Sequence, residues 1–511
     1  MISAPNLRLR LNGNKYYFYM LITMLLFTSC ELFKPVQTTT PSKKPDQGDA
    51  LDEVQGRKVY DPETGTYVVI ENAPVEKMDT IRWRDMPVDP QQIIRSSEEG
   101  FIVEENVNIP QTIGTEKLPG EDNVTTEFLS TYNVALVLPF LSDRFTPSAN
   151  AILPTNSEWA LNFYGGVKMA LEDLSSENVN LNVSVIDGKE TSETAANQLV
   201  RSNQDLQNAH LIIGPYRRET ARILSDYVAR VNSDANISND KVLFSPYTTA
   251  TDVALNNPGY VQVNPSLQTH CESIMRHARQ HYQPDQIVLV CRDKDQEVER
   301  LKYFQDENAR LSGGRNVPRL KEYVVADNEE FNNAQMLSLI RLSDTTVFIL
   351  PSWSNETFIY SFLRKLDLAR RESSKIIVYG MPQWMEYEMI DYDYYERLNV
   401  HVSSSTFLDP LSTNIQFFRR RFFDRYGTVP QEEAFLGYDI MLYSGRMLKE
   451  YGTKFQYTLE RERAQMLHTQ FDFERQVIPT TTGRENPPIQ RFENKYVNIL
   501  KFQDYQFKLA E

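Results

Sequence analysis

The feature that most constrains this chain is an alternation of short apolar runs with longer amphipathic segments, which begins near Tyr132. The apolar runs are rich in β-branched residues and end in Pro, Gly or a polar turn, as buried strands do. Strands without a polar face, linked by helices, predict a parallel sheet covered on both sides. The predicted strands are 133–140, 181–187, 209–215 and 241–246, and the predicted helices are 158–174, 191–202 and 217–231.

The alternation resumes after a junction at 260–265. Predicted strands at 286–291, 320–325, 345–350 and 375–380 alternate with helices at 267–281, 296–311, 334–342 and 357–372. The fold class is therefore α/β, with two doubly wound parallel-sheet lobes, a hinge and a central cleft. Lobe 1 spans about 131–260 plus parts of 395–511, and lobe 2 spans about 261–394, within a domain over 126–511. The cleft is the expected ligand site.

Composition excludes several classes of function. The 54 Lys and Arg against 69 Asp and Glu give a net charge of -15, which opposes nucleic-acid binding. Three Cys and six His leave little material for a metal site, and His277 and His281, at helical spacing, lack a third ligand beside them. Hydrolase, phosphate-loop and dinucleotide motifs are absent from the sequence, so we predict no enzyme, no cofactor and no metal. Cys271 and Cys291 can pair or remain buried thiols.

The N-terminus carries an export pattern. Three positive residues precede the apolar run 16–28, which is too short to span a bilayer comfortably. The sequence Phe27-Thr28-Ser29-Cys30 then resembles a bacterial lipobox, although Phe27 replaces the usual Leu. The resemblance implies a signal peptide over 1–29, lipidation of Cys30 and a lipid anchor in the cell envelope, on the periplasmic face of the outer membrane. The alternative is an uncleaved signal anchor with an incidental cysteine.

Residues 30–125 form the predicted tether. Proline is frequent there and neither helical nor alternating periodicity is sustained in its first part, which is typical of an extended linker. The segments 66–71 and 80–83 have strand-forming composition and predict either a β-hairpin within the tether or a strand that packs on the main domain.

Four motifs carry a resemblance to a known family. They are Phe163 to Ala170 (FYGGVKMA), Ile212 to Pro215 (IIGP), Ser245 to Ala250 (SPYTTA), and Phe417 to Asp439 with its Gly turn and Gly-Tyr-Asp. Their order and spacing resemble those of type I periplasmic binding proteins, the leucine/amide-binding-like solute receptors, over about 131–510. The resemblance implies a receptor that closes two lobes on a small solute and delivers it to an ABC transporter.

The candidate ligand-binding residues follow two strand ends: Tyr216, Arg217, Arg218, Tyr247, Thr248 and Thr249. Helix N-termini and hydroxyl groups at such positions suit a carboxylate or another anion. The amino-acid receptors carry small Ser or Thr after the Gly-Pro turn. The bulky residues at 216–218 therefore either fill an amino-acid pocket or convert it to one that binds a larger anionic group. In the alternative interpretation the threonines cap the next short helix and the arginines pair with neighbouring acids.

Two functions therefore remain open at this point. The first is a membrane-anchored lipoprotein that binds a small polar or anionic solute such as an amino acid or peptide. The second is a ligand-free interaction lipoprotein that regulates peptidoglycan synthesis or envelope assembly through a protein partner. The altered turn at 216–218 favours the second function, and Thr248 and Thr249 favour the first.

Overall fold

The computed structural model describes residues 57–61, 66–70, 110–121, 123–145, 153–154, 157–189, 192–234, 240–314, 317–326, 331, 333–477 and 487–510. The chain divides into two compact units, Met1–Ile102 and Val103–Glu511. Cys30 and the predicted signal peptide lie outside the described residues. In the first unit β1 (Arg57–Asp61) pairs antiparallel with β2 (Thr66–Ile70). The hairpin partner of β2 is thus β1, and the predicted partner 80–83 lies outside the described residues.

A second hairpin opens the large unit, with its first strand in the predicted tether (30–125) and its second strand at the start of the predicted domain (126–511). β3 (Thr112–Lys117) pairs with β4 (Thr125–Leu129). Thr126 Oγ1 donates to the Tyr451 carbonyl at 2.8 Å and accepts from the Lys454 amide at 3.0 Å. These bonds attach β4 to the 3-10 segment Gly452–Arg461, so the last part of the predicted tether is integrated into the folded unit.

The first lobe contains a seven-stranded sheet in the order β17-β18-β9-β8-β7-β5-β6. All pairings are parallel except that of the edge strand β17 with β18. The central strands are buried along their whole length, as their continuous apolar sequences predict. The strands are β5 (Tyr132–Leu138), β6 (Leu181–Asp187), β7 (Leu211–Ile213), β8 (Val242–Ser245), β9 (Tyr260–Gln262), β17 (Phe473–Val477) and β18 (Ile489–Asn494), with a small separate hairpin of β15 (Ala464–Gln465) and β16 (Gln470–Phe471).

Helices cover both faces of this sheet. They are α1 (Glu158–Ser176), α2 (Glu193–Ser202), α3 (Gln204–Asn208), α4 (Arg218–Ser233), α10 (Thr413–Tyr426) and α11 (Glu432–Tyr451). The closest helix pair is α1 with α11, which meet at glycines on both sides. A Cβ at Gly166 would lie 1.8 Å from the Ala434 carbonyl oxygen, and one at Gly437 would lie 2.2 Å from the Phe163 carbonyl oxygen. Only glycine permits this backbone approach.

The second lobe contains another seven-stranded sheet, in the order β11-β10-β12-β13-β14-β19-β20. The first five strands are parallel, and β19 and β20 complete the sheet as an antiparallel hairpin. The strands are β10 (Ile287–Arg292), β11 (Lys321–Val325), β12 (Thr345–Ile349), β13 (Lys375–Gly380), β14 (Val400–Ser404), β19 (Asn498–Gln503) and β20 (Gln506–Leu509); the helices are α5 (Leu267–His281), α6 (Asp295–Leu311), α7 (Asn333–Leu339), α8 (Glu356–Ala369) and α9 (Tyr392–Arg397).

The predicted fold class, two doubly wound and largely parallel lobes, is confirmed. Residues 395–511, which the sequence assigned in part to the first lobe, are divided between the two sheets, because β14, β19 and β20 belong to the second. Cys271 and Cys291 are buried free thiols in the second lobe's core. Across the described residues, none of the helices is both long and apolar enough to span a membrane.

The contact between α1 and α11 gives a test of the fold. We expect Gly437→Ala to lower the free energy of unfolding by about 2–3 kcal/mol, because the new methyl group would collide with the α1 backbone. Elsewhere in a helix the same change stabilises. Urea denaturation measures the difference. Gly114→Ala in β3, where nothing lies within 4 Å of the new Cβ, is the control and should change the free energy by less than about 0.5 kcal/mol. Equal effects of the two changes would contradict the packing argument.

Candidate functional site

The cleft is defined by where the chain passes between the lobes. It crosses at 263–266 after β9, at 405–412 after β14, and at 495–497 after β18. Each crossing leaves a sheet at the carboxyl end of a parallel strand. The carboxyl edges of both sheets therefore border the hinge, and the loops at these edges form the walls of the cleft.

The turn after β7 has the geometry expected at such an edge. Gly214 has φ 113°, and a Cβ there would lie 2.1 Å from the Val137 carbonyl oxygen of β5. Only a residue without a Cβ tolerates both this positive φ and this close backbone approach. The approach is to the neighbouring strand, and it brings the following residues Pro215 and Tyr216 against the end of the sheet.

An aromatic cluster formed by Trp159, Tyr216 and Tyr247 covers this edge of the first lobe. The Trp159 ring centroid lies 4.5 Å from that of Tyr216 and 5.1 Å from that of Tyr247, and the two tyrosine rings are 4.9 Å apart. Trp159 is at the start of α1, and the tyrosines follow β7 and β8. Tyr216 is 44 % exposed, so part of the cluster is accessible to solvent.

The Tyr247 hydroxyl is a polar atom without a partner. It is shielded from solvent and makes no hydrogen bond within the described residues. Burial raises the pKa of this phenol well above its usual value, and Glu433 raises it further. An unsatisfied buried donor is costly, and ligand sites are a common place for one.

Carboxylates flank the aromatic cluster. Glu432 and Glu433 begin α11, and Gln431 Nε2 donates to Glu158 Oε1 at 2.8 Å, which places the first turns of α1 and α11 side by side. Burial raises the pKa of Glu433, and Glu432 and Glu158 raise it further. The electrostatic environment of the first-lobe wall is thus negative, opposite to that expected for an anion site.

The predicted arginines lie at the start of α4. Arg217 is the exposed N-cap residue, and its side chain makes no capping bond. Arg218 forms an ion pair with Asp252, in the 3-10 turn after β8. Of the two interpretations that the sequence allowed for the arginines, Arg218 follows the second, in which it pairs with a neighbouring acid instead of facing a ligand. This exposed pair contributes little to stability.

The predicted threonines form a local turn. Thr248 is buried, and its Oγ1 accepts a hydrogen bond from the Ala250 amide at 3.3 Å. The 3-10 turn Thr251–Val253 has no side-chain cap, so Thr248 stabilises the turn that precedes it. Thr249 is partly exposed at the same strand end.

The second-lobe wall contains residues that the sequence analysis missed. Trp353 follows β12, is partly exposed, and packs edge-on against His270 of α5 at a centroid distance of 6.0 Å. Tyr387 Oη donates to the Trp353 carbonyl at 3.0 Å and fixes its backbone. Tryptophan immediately after a buried strand was the available signal for Trp353, as was tryptophan at a helix start for Trp159.

The hinge contains a buried carboxylate. Glu493 of β18 is fully buried and accepts hydrogen bonds from the Ser266 amide at 3.1 Å and from Thr269 Oγ1 at 2.6 Å, both at the start of α5. Arg491 Nη2 and Lys495 Nζ lie 2.7 and 3.4 Å from its carboxylate oxygens. Burial alone would raise the pKa of Glu493, but the two cations and these hydrogen bonds lower it to about 2. One carboxylate thus links the first-lobe sheet to the first helix of the second lobe.

The histidines predicted as weak metal candidates lie in the second lobe. His277 Nδ1 lies 2.8 Å from Tyr379 Oη, and the His277 and His281 ring centroids are 4.8 Å apart. Within the part of the chain that the structure describes, no three His, Cys, Asp or Glu side chains are grouped to hold a metal ion.

Comparison with known proteins supports the fold. No protein-family model matches the chain, and no curated protein matches it. Among solved structures, a putative branched-chain amino acid ABC transporter from Rhodospirillum rubrum is similar over 74% of this chain and 100% of that chain, with 12% identity and a TM-score of 0.50. An ABC transporter substrate-binding protein from Desulfitobacterium hafniense has 15% identity and a TM-score of 0.48 over the same shares of the two chains. The chain has the two-lobed fold of type I periplasmic binding proteins, as its sequence motifs predict.

The hinge carboxylate gives a second test. We expect Glu493→Gln to lower the free energy of unfolding by about 3 kcal/mol or more, because Arg491 and Lys495 would remain buried without their counter-charge. The pKa of Glu493 is lowered in the folded state, so its contribution is complete above about pH 4.5 and is lost as the pH falls towards about 2. The variant should therefore lose less stability over that range than the wild type.

Urea denaturation at several pH values measures both effects. Glu474→Gln is the matched control, because Glu474 is exposed on β17 directly opposite Glu493. It should shift the free energy by less than about 0.5 kcal/mol. Parallel pH profiles for the wild type and Glu493→Gln would rule out the assigned role.

Proposed function

We propose that this protein is a solute-binding receptor of the cell envelope, held to the membrane by a lipid on Cys30. The observation that carries the proposal is the aromatic cluster of Trp159, Tyr216 and Tyr247, with its unpartnered Tyr247 hydroxyl, at the cleft edge of a two-lobed receptor fold. A ring face and a buried donor at a strand-end cleft are the typical components of a small-molecule site.

The cluster indicates the chemistry of the solute. Aromatic faces stack on flat or apolar surfaces of a ligand, and the adjacent Glu158, Glu432 and Glu433 disfavour a carboxylate. The sequence predicted a small polar or anionic solute. Of these we propose the polar class, as a neutral or cationic solute with a ring, such as a sugar or a sugar-linked peptide. Tyr216 and Tyr247 contact it, Thr248 and Thr249 shape the adjacent turn, and Arg217 and Arg218 lie at the rim.

The mechanism is binding without bond chemistry. A solute that contacts the first-lobe cluster and Trp353 of the second lobe binds the closed form more tightly than the open form, so it shifts the lobes towards closure. The three crossing segments are the hinge, and Glu493 sets their resting geometry. A membrane protein partner then binds the closed form. The similar structure from Rhodospirillum rubrum is that of a putative branched-chain amino acid ABC transporter, which supports a transporter as one such partner.

One observation favours the alternative, a ligand-free lipoprotein that binds an envelope protein and regulates peptidoglycan synthesis. The three rings contact one another at 4.5 to 5.1 Å and fill the space after the Gly-Pro turn, where amino-acid receptors have small residues. In that case the exposed ring of Tyr216 would contact a protein instead of a solute.

A thermal-shift screen of residues 110–511 separates the two functions. We expect at least one sugar, muropeptide, short peptide or amino acid to raise the melting temperature in a saturable manner. Tyr216→Ala should weaken that binding by about tenfold or more, because it removes the exposed face of the cluster.

Phe417→Ala is the control variant, since Phe417 is an exposed aromatic on α10, outside the aromatic cluster. It should leave the shift unchanged. Absence of any shift, together with capture of a cell-wall enzyme that Tyr216→Ala abolishes, would replace the receptor with the alternative function.

The anchor is tested separately in cells. We expect Cys30→Ser to move the protein from the membrane fraction to the soluble fraction, because the thiol that receives the lipid is missing. Immunoblots of fractionated cells measure the distribution, with Cys271→Ser as a control that keeps Cys30 intact. Membrane retention of Cys30→Ser would contradict the lipid anchor but leave the solute site untouched.

A further inference from the structure

A cavity lined only by residues of the second lobe lies apart from the aromatic cluster. It has a volume of about 700 Å³ and runs along one face of α8, from the end of β10 to Leu368. Among the described residues that line it, four are cationic and none is acidic: Arg292, Lys294, Arg364 and Lys365. This lining contrasts with the net charge of the chain, which is -15.

The cation at the top of the cavity is held rigidly. Arg292 Nε donates to Glu297 Oε1 at 2.9 Å, and the same guanidinium lies 5.9 Å from the ring centroid of Phe358. Glu297 is buried and also accepts from Ser352 Oγ at 3.2 Å. Arg292 is therefore a fixed part of the wall, positioned by a buried carboxylate, and not a mobile surface chain.

The two cations on α8 are different. Arg364 and Lys365 form no ion pair or hydrogen bond among the described residues. Two neighbouring cations are paired instead: Arg370 and Arg397 both contact Asp367 of α8. The charges of Arg364 and Lys365 thus remain available to a ligand in the cavity.

The rest of the lining defines the ligand class. Thr357 and Ser361 place hydroxyl groups along the same face of α8, and Asn355 caps its N-terminus by accepting from the Phe358 amide at 2.8 Å. The positive end of the helix dipole therefore borders the cavity beside the hydroxyls. Phe331 and Phe358 add an apolar wall. We propose that this cavity binds a small organic anion, with a phosphate or carboxylate group on an apolar or aromatic body.

The proposal is independent of the aromatic cluster in the first lobe. The carboxylates beside Tyr247 disfavour an anionic ligand at the aromatic cluster. The α8 cavity is lined by cations, which favour one. The sequence also places Asp327, Glu329 and Glu330 directly before Phe331, so the chain's own acids are the competing explanation for the cations, and the experiment separates the two.

Isothermal titration of the full mature chain with phenyl phosphate and with phenylacetate tests the site, and benzyl alcohol is the neutral analogue. We expect saturable binding of one or both anions, much weaker binding of the alcohol, and loss of affinity as salt is raised. Arg364→Gln combined with Lys365→Gln should weaken anion binding by about tenfold or more. Arg371→Gln combined with Lys375→Gln, two exposed cations outside the cavity, should leave it unchanged.

Three results would overturn the proposal: equal binding of benzyl alcohol, equal loss in both double variants, or no binding by the wild type. If anions bind only after Asp327, Glu329 and Glu330 are neutralised, the cations serve the chain's own acids and the proposal is also overturned. Tyr216→Ala separates the two proposals. It should weaken solute binding at the aromatic cluster but leave anion binding at the α8 cavity unchanged, because Tyr216 does not line that cavity.

Discussion

A buried carboxylate connects the two halves of this molecule. Glu493 belongs to the first sheet, yet it accepts its hydrogen bonds from the start of the first helix of the second lobe. Burying one negative charge is costly, and here Arg491, Lys495 and the orphan amides of the helix compensate it. The contact fixes one of three adjacent crossings, so the orientation of both sheet edges, and of every side chain in the cleft, depends on it.

The hydrophobic pattern predicted most of the two lobes, because β5, β7, β8, β10, β12 and β13 are continuous apolar runs. It missed the strands near the C-terminus for a physical reason. β18 contains Arg491 and Glu493, both buried. Apolar periodicity does not identify such a strand, because charged residues occupy its buried positions. β19 and β20 are antiparallel additions whose partners lie far back in the sequence.

The site was predictable in position more than in chemistry. The structure has Tyr216 and Tyr247 at the ends of β7 and β8, and their role as ligand-binding residues stays a prediction. Two facts could not be read from the sequence: Arg218 pairs with Asp252 from the neighbouring turn, and the first turns of α1 and α11 bring Glu158 and Glu433 beside the rings. Both depend on tertiary contacts between segments distant in sequence. The aromatic cluster and the α8 cavity consequently have opposite electrostatic environments within one acidic chain.

The sheet order has a consequence for how this protein reaches its native state. The first sheet is complete only when β18 pairs with β9, and the second sheet is complete only when β19 pairs with β14. Each lobe therefore depends on residues beyond 470, so neither is finished until almost the whole chain is present. Non-local pairing of this kind gives a high contact order and slow folding.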